Sequence, residues 1–177
     1  MSSGFKELHR GDMHRYADGG SERYIRKISC YLRKLQTYNT KNPLHYYYRF
    51  IYRNLNVKRG NEISWRSDIG KGLYIGHPYN ITINPDSVLG DNVNIHKGAT
   101  ICKENRGKRK GTPKIGSKVY IGVNSTVVGN ITIGDDVLIA ANTFVNCDVP
   151  SHSIVIGSPC KIIHKDNATE GYINNIV

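Results

Sequence analysis

The sequence predicts a mainly β protein, a parallel β-solenoid of hexapeptide repeats that follows a short α-helical N-terminal region. Two observations predict the solenoid. Aliphatic residues recur at every sixth position over about a hundred residues, and the next residue is often glycine or alanine. A third observation, an apolar stripe of helical spacing before residue 60, predicts the helices. A fixed internal repeat indicates stacked coils, because no single repeat buries its apolar face alone.

The aliphatic repeat runs in three registers, which neither a helical period of 3.6 nor a strand period of 2 explains. A triangular coil does explain it: each aliphatic side chain points inward, and the small residue permits a tight corner. Successive coils would then pair as parallel strands. The predicted inward residues are Ile63, Ile69, Ile75, Ile81, Ile83, Leu89, Ile95, Ile101, Ile115, Ile121, Val127, Ile133, Ile139 and Val145.

The segment 102–114 interrupts the repeat. It holds five basic residues between positions 103 and 110 against one acid, Glu104, together with two glycines and a proline. Such a composition does not suit a coil face, so we predict a protruding basic loop. Loops on rigid scaffolds commonly carry functional residues.

The first sixty residues have a different pattern. Residues 22–38 predict a helix, residues 44–55 predict a second helix with an aromatic face, and the polar residues 1–20 predict a loose lead-in. The apolar stripe of the first predicted helix consists of Ile25, Ile28, Leu32 and Leu35.

Charge is concentrated in the same region. The chain carries a formal net charge of +11, of which residues 1–60 contribute +9, from 13 basic and 4 acidic side chains. A basic face attracts nucleic acid, an anionic membrane or a phosphate-rich cofactor. No nucleic-acid-binding motif accompanies the charge, so we expect no nucleic-acid partner, and a non-enzymatic basic binding module remains an alternative function.

Cysteine and hydrophobic patterns bear on the compartment. The four cysteines form no metal-ligand spacing, and we expect no metal and free thiols. No signal sequence and no apolar run of 18 residues is visible. We therefore expect a cytoplasmic protein, with the inner face of the membrane as an alternative placement.

Three segments resemble one known family. GLYIGHPYNITI at 72–83 resembles the segment around the catalytic histidine of serine acetyltransferases. GDNVNIHKGATI at 90–101, followed by the basic loop and TPKIG at 112–116, follows that family's order, and DVPSHSIVIGSPCKII at 148–163 resembles its closing segment. Over about 62–163 the chain is thus similar to the serine acetyltransferase-like branch of the hexapeptide-repeat acyltransferases. The resemblance implies a left-handed parallel β-helix and acetyl transfer from acetyl-CoA to a hydroxyl.

The resemblance also implies a division of the chain. An N-terminal helical region at 1–60 precedes a left-handed β-helix acyltransferase domain at 61–163, which carries the protruding loop at 102–114, and a C-terminal tail covers 164–177. A homotrimer is expected, because the sites of such enzymes lie between prisms.

The acceptor is inferred from departures within the motifs. The branch includes enzymes that O-acetylate capsular and other surface polysaccharides, and the ENRGKRKGTP loop resembles theirs. Where serine acetyltransferases carry charged residues that grip the amino acid, this chain has Gly76, Gly111 and Thr112. A zwitterion would lose its ionic partners there, whereas a neutral sugar would not need them. Glycine at these positions would also open space, which suits the bulkier ring of a sugar. We therefore predict a sugar hydroxyl of a surface or capsular polysaccharide, or of its precursor, as acceptor, with serine O-acetylation in cysteine biosynthesis as the alternative.

The resemblance assigns catalytic roles to two residues. His77 would be the general base that takes the proton of the acceptor hydroxyl. Glu62, 15 residues earlier and therefore about one coil away, would orient its imidazole. Cys102 has no activating partner in the sequence, so we do not predict a covalent acyl-enzyme.

Two further groups are predicted to bind the substrates. The predicted acetyl-CoA contacts, along the pantetheine slot and at the phosphates, are Ala140, Asn142, Lys161 and Lys165. The predicted acceptor contacts are His96, expected to point outward beside the basic loop, and Arg106, Lys108 and Arg109 in that loop.

Overall fold

The computed structural model describes residues 3–19, 23–38 and 40–177. Within these residues the chain forms three helices followed by fifteen short strands. The helices are α1 (Ser3–His14), α2 (Arg23–Thr37) and α3 (Pro43–Val57). All three precede the first strand, which confirms the mainly β fold with a short helical N-terminal region.

The strands form the three faces of a left-handed β-helix. Face A contains β1 (Glu62–Ile63), β4 (Thr82–Ile83), β7 (Thr100–Cys102), β10 (Thr126–Val128) and β13 (Phe144–Val145). Face B contains β2 (Asp68–Ile69), β5 (Val88–Leu89), β8 (Lys114–Ile115) and β11 (Thr132–Ile133). Face C contains β3 (Tyr74–Gly76), β6 (Asn94–His96), β9 (Val119–Ile121), β12 (Val137–Ile139), β14 (Ser153–Ile156) and β15 (Lys161–His164). Neighbouring strands pair in parallel except for β14 and β15, which pair antiparallel.

Stacked aliphatic side chains fill the prism. Each predicted inward residue is buried, at 4% exposure or less. Strand pairing places them in register, so that Ile75 lies over Ile95, Ile95 over Ile121, and Ile121 over Ile139. The predicted inward residues are thus confirmed, and the side chains of each coil lie in register with those of the next.

Glycine is required at the corner that leads from face B to face C. A Cβ atom built on Gly90 would lie 2.7 Å from the carbonyl carbon of Gly116, and one on Gly116 would lie 2.8 Å from that of Gly134. Real Cβ atoms do not approach backbone this closely. The small residue after the aliphatic position therefore permits the close stacking of coils, as the sequence predicted.

The prediction that residues 1–20 form a loose lead-in is wrong for the described part, 3–19. Residues Ser3–His14 form α1, and Asp12 near its end is buried. The Asp12 carboxylate pairs with Arg33 of α2 at 2.8 Å and accepts the backbone N–H of Leu73 at 2.9 Å. These buried, charge-assisted hydrogen bonds hold α1 on the solenoid, although the helix has no apolar stripe. Residues 1, 2 and 20 lie outside the described residues.

The two predicted helices are present. The predicted stripe of α2 is buried, and Asn42 caps α3 by accepting the N–H of Leu44 at 2.9 Å, with Pro43 at the first helical position. Arg33 departs from the expected solvent-exposed basic face, since its guanidinium is buried and also donates to the carbonyl of Ile69 at 2.7 Å. No helix among the described residues has the length and apolar character needed to cross a membrane.

The last residues return along the solenoid as a C-terminal strap (165–177). The buried carboxylate of Asp136 accepts the backbone N–H groups of Ala168 and Thr169, both at 3.0 Å. Further along, the Asn94 side chain donates to the carbonyl of Tyr172 at 3.0 Å. These bonds lay the strap beside face C, where α1 also ends.

Replacing Ile121 with Asp should destabilise the β-helix by about 4 kcal/mol or more, because it would bury an unpaired carboxylate in the prism. Urea unfolding followed by circular dichroism would measure the loss. The matched control is Val88→Asp on the outward side of face B, where the side chain is 39% exposed and the loss should be small. Equal stability of the two variants would contradict a continuous apolar interior.

Candidate active site

His77 stands at the corner that leads from face C to face A. It follows β3 directly, its side chain is exposed, and its φ of 53° is in the left-handed region, where histidine, asparagine and aspartate are the most frequent residues after glycine. The Tyr79 N–H donates to the His77 carbonyl at 2.7 Å and closes the turn. The same left-handed conformation recurs at Asn124 and Asn142 on this edge, so it belongs to the regular corner of the coil, and it presents the His77 imidazole to solvent.

Glu62 lies on the first coil, in β1, with its side chain exposed on face A. Its backbone N–H donates to the carbonyl of Ile81 at 2.8 Å, and the adjacent Asn61 side chain donates to the carbonyl of Pro78 at 3.0 Å. The first coil is thus hydrogen-bonded to the turn that contains His77. No ion pair within 4.0 Å joins Glu62 and His77 among the described residues, so the orienting role of Glu62 stays a prediction.

His96 packs against the residue that precedes His77. Its Cα is paired with that of Gly76, and its imidazole occupies the space that a Cβ on Gly76 would need. The ring centroid lies 4.6 Å from that of Tyr120. Burial, with a smaller contribution from the charge of His77, lowers the pKa of His96 to about 4, so the ring is neutral at physiological pH. Its Nε2 atom is buried and has no hydrogen-bond partner among the residues described.

The basic loop leaves the solenoid at a different edge. It begins at the end of β7 and ends at β8, between faces A and B, and Glu104 and Gly111 form an antiparallel bridge at its base. Arg106, Lys108 and Arg109 are exposed on it. The expectation that His96 lies beside this loop is wrong, because His96 is at the corner between faces C and A. Within a single chain, the predicted acceptor residues therefore lie on two different edges of the prism.

The predicted acetyl-CoA contacts begin on the same edge as His77. Lys97 N–H donates to the Gly76 carbonyl, Asn124 N–H to the Lys97 carbonyl and Asn142 N–H to the Val123 carbonyl, at 2.8 to 3.0 Å. At about 4.8 Å per coil, Asn142 is about 14 Å along the edge from the His77 turn. Ala140 lies at the end of β12 on the coil of Asn142, and Lys161 and Lys165 are exposed at and just after β15.

The thiols do not supply an activated nucleophile. Burial, reinforced by Glu104, raises the pKa of Cys102. Burial and the neighbouring thiol of Cys160, whose Sγ lies 3.7 Å away, raise the pKa of Cys147. A thiol with a raised pKa is a weak nucleophile at neutral pH, which agrees with a mechanism that forms no acyl-enzyme.

Sequence reasoning missed a cavity of about 310 Å³ on face C, which we call the face C pocket. Its floor includes His96, and its walls come from the turn that follows α1 and from the C-terminal strap. The residues of these walls follow no sequence motif, and Arg15 and Asn174 on opposite walls are 159 residues apart, so only the fold brings them together. The lining residues are Arg15, Asp18, Gly19, Tyr74, Asn94, His96, Tyr120, Gly171, Tyr172 and Asn174.

Comparison with known proteins identifies the family. Residues 112–147 match the family model described as "Bacterial transferase hexapeptide (six repeats)". The serine acetyltransferase of Helicobacter pylori (strain ATCC 700392 / 26695) is 35% identical over 147 residues, which cover 80% of this chain and 82% of that protein. The serine acetyltransferase of Staphylococcus aureus (strain Mu50) is 38% identical over 112 residues, which cover 63% of this chain and 53% of that protein.

Solved structures show the same fold. The Neisseria gonorrhoeae serine acetyltransferase in complex with serine superposes with a TM-score of 0.72 at 24% identity and covers 92% of this chain and 70% of its own. A serine acetyltransferase in complex with CoA superposes with a TM-score of 0.63 at 24% identity, and the match covers 79% of this chain and 55% of that one.

These findings correct the predicted acceptor. The prediction of a polysaccharide hydroxyl is wrong, because the similar proteins are serine acetyltransferases, which favours the alternative acceptor. One of its physical grounds also fails: Gly76 opens no space for a sugar ring, since the His96 imidazole fills that space. The chain belongs to the serine acetyltransferase family of hexapeptide-repeat proteins, and it is an acetyl-CoA-dependent acyltransferase.

Proposed function

We propose that this protein transfers the acetyl group of acetyl-CoA to the hydroxyl of L-serine, giving O-acetylserine and CoA. The observation that carries the proposal is the 35% identity to the Helicobacter pylori serine acetyltransferase over 80% of the chain. Within the chain, His77 lies in the motif that resembles that family's catalytic segment.

His77 is the general base of this mechanism. Its exposed imidazole takes the proton of the serine hydroxyl while the hydroxyl oxygen attacks the thioester carbonyl. The resulting tetrahedral intermediate collapses with cleavage of the C–S bond, and the imidazolium returns the proton to the departing thiolate. Glu62 is the orienting carboxylate, and it stabilises the imidazolium that forms in between.

The edge that starts at His77 is the proposed track for acetyl-CoA. Ala140 and Asn142 on this edge contact the pantetheine arm, and the exposed Lys161, paired with Ile156 at the end of β14, neutralises a phosphate beyond them. Lys165, whose N–H donates to the His152 carbonyl, lies at the other edge of face C and can reach a phosphate only across that face. A track along an edge places the thioester at one end, beside the base, and the phosphates at the other.

A homotrimer would complete the site. His77 and the basic loop lie on different edges of face A, so the two meet only if the loop of a neighbouring copy reaches the His77 edge. Arg106, Lys108 and Arg109 would then contact substrate across a subunit boundary. His96, neutral and beside His77, contacts the acceptor from the same chain.

The acceptor assignment is tested by thiol release from acetyl-CoA. With L-serine we expect kcat/KM of roughly 10⁴ M⁻¹s⁻¹ or above, in the usual range for enzymes. Detection of O-acetylserine by mass spectrometry identifies the product. Thiol release no faster with saturating L-serine than without an acceptor would refute serine as the substrate.

Substitution of the base tests the mechanism. His77→Ala should lower kcat by about 10²- to 10⁴-fold, because the hydroxyl is no longer deprotonated as it attacks. Glu62→Ala should lower kcat less, since it removes only the orienting group. Steady-state kinetics give both values, and circular dichroism controls for folding. Full turnover by His77→Ala would exclude His77 as the base.

The neutral state of His96 predicts a pH dependence. Its pKa falls from an ordinary value of 6.5 to about 4 in the folded protein, so the unfolded chain binds the proton more readily. The contribution of this pKa difference to the free energy of unfolding is fully present above pH 6.5, and it is lost as the pH falls toward 4. Urea unfolding should show that the free energy of unfolding decreases more between pH 7.5 and pH 4.5 for the wild type than for His96→Gln. Equal losses would show that His96 titrates normally.

A further inference from the structure

The outer side of α3 carries an exposed apolar surface. Tyr46, Tyr47, Phe50 and Val57 are each 58 to 67% exposed, and among the described residues they are the four most exposed large hydrophobic side chains. Their spacings of three, four and seven residues place them on one side of the helix. We call these four residues the α3 outer face. At 1.5 Å per residue it is about 16 Å long.

Packing fixes which side of α3 points outward. On the opposite side, the Tyr52 hydroxyl donates to the carbonyl of Ile63 at 3.0 Å, and the buried imidazole of His45 meets the Trp65 ring edge to face with ring centroids 4.8 Å apart. These contacts hold the inner side of α3 on the first coil, so the helix cannot rotate to bury Phe50 without breaking them. Contiguous apolar surface that stays exposed in this way marks an interaction site.

Basic side chains accompany the α3 outer face. Arg49, Arg53 and Lys58 are exposed, and no carboxylate lies within 4.0 Å of any of them in the described part of the chain. Arg49 and Arg53 are four residues apart and therefore lie together on one flank of the helix. Residues 40–60 contain five basic side chains and no acidic one. The surface thus combines exposed rings with positive charge that no acid of the chain compensates.

This combination selects a class of partner. An anionic bilayer accepts both features, because aromatic and aliphatic side chains enter the headgroup region while basic side chains meet lipid phosphates. A second copy of the same face fits poorly, since two segments that each hold five basic and no acidic side chains repel each other. Single-stranded nucleic acid would stack on the rings, but it makes no use of the exposed aliphatic Leu44 and Val57.

We propose that the α3 outer face binds the surface of an anionic lipid bilayer, with α3 parallel to the membrane plane. Tyr47 and Phe50 enter the headgroup region, and Arg49 and Arg53 contact lipid phosphates. None of these residues is assigned to acetyl transfer, so membrane binding can be lost while turnover in solution is kept.

Co-sedimentation of the full chain with lipid vesicles tests the proposal. Vesicles of equal parts phosphatidylcholine and phosphatidylglycerol should bind the wild type about tenfold or more tightly than vesicles of phosphatidylcholine alone, and added salt should weaken the binding. Combining Tyr47→Ser with Phe50→Ser should weaken binding to the anionic vesicles about tenfold or more, because both inserted rings are lost. Combining Arg49→Gln with Arg53→Gln should weaken it about 25-fold, about fivefold for each charge.

Two variants are matched controls. Ile163→Ser removes an exposed apolar side chain from β15, at the opposite end of face C from β3. Lys103→Gln combined with Lys110→Gln removes two exposed charges from the basic loop, so its net charge equals that of the arginine variant. Both should bind the anionic vesicles as the wild type does. Circular dichroism and acetyl transfer without vesicles should be unchanged in the two α3 variants, which shows that they fold.

Several results would overturn the proposal. The first is a wild type that does not sediment with the anionic vesicles, and the second is a folded serine variant that binds them as tightly as the wild type. A loss of binding in the loop variant as large as in the arginine variant would show a response to net charge rather than to α3. A smaller assembly of the serine variant in analytical ultracentrifugation would make the face a contact between copies. An RNA oligonucleotide that displaces the vesicles, and whose own binding requires Tyr47 and Phe50, would make nucleic acid the partner.

Discussion

The structure depends on the burial of one aliphatic side chain per coil face. A single coil of two- and three-residue strands could not hold its shape, because it exposes its interior at both ends and has no partner for its backbone groups. Stacking solves both problems together: Ile95 is covered by Ile75 and Ile121 while the strands that carry them exchange hydrogen bonds. The corners must then be tight enough to keep the coils in contact, which is why Gly90 and Gly116 cannot carry a side chain.

Buried polar groups, rather than further apolar packing, attach the ends of the chain to this column. Asp12 pairs with Arg33 and caps a backbone N–H of the solenoid, while Asp136 holds the C-terminal strap. Arg15 contacts the strap, a turn before β3 and the β6 side chain of Asn94 at once. Such contacts are directional, so they determine where the two ends lie, and together they enclose the pocket on face C.

The chemistry is distributed over the edges of the prism. The edge between faces C and A carries His77 and, three coils later, Asn142, whereas the edge between faces A and B carries the basic loop. This separation follows from the topology: each coil passes every edge once, and an insertion stays at the edge where it enters. The exposed imidazole and the basic segment are thus presented in different directions and do not share one surface.

The sequence by itself determined the solenoid, its inward residues, two of the three helices, the protruding loop and the candidate base, because these depend on local spacing and on motifs within single segments. It did not reveal α1, whose anchor Asp12 is meaningful only once Arg33 and Leu73 surround it. It also misjudged Gly76, where the missing side chain seemed to open space that His96, 20 residues later and one coil above, in fact fills. The face C pocket was decided by the tertiary structure alone: Arg15, His96 and Tyr172 share no local pattern, and they meet because both ends of the chain fold back onto the same face of the prism.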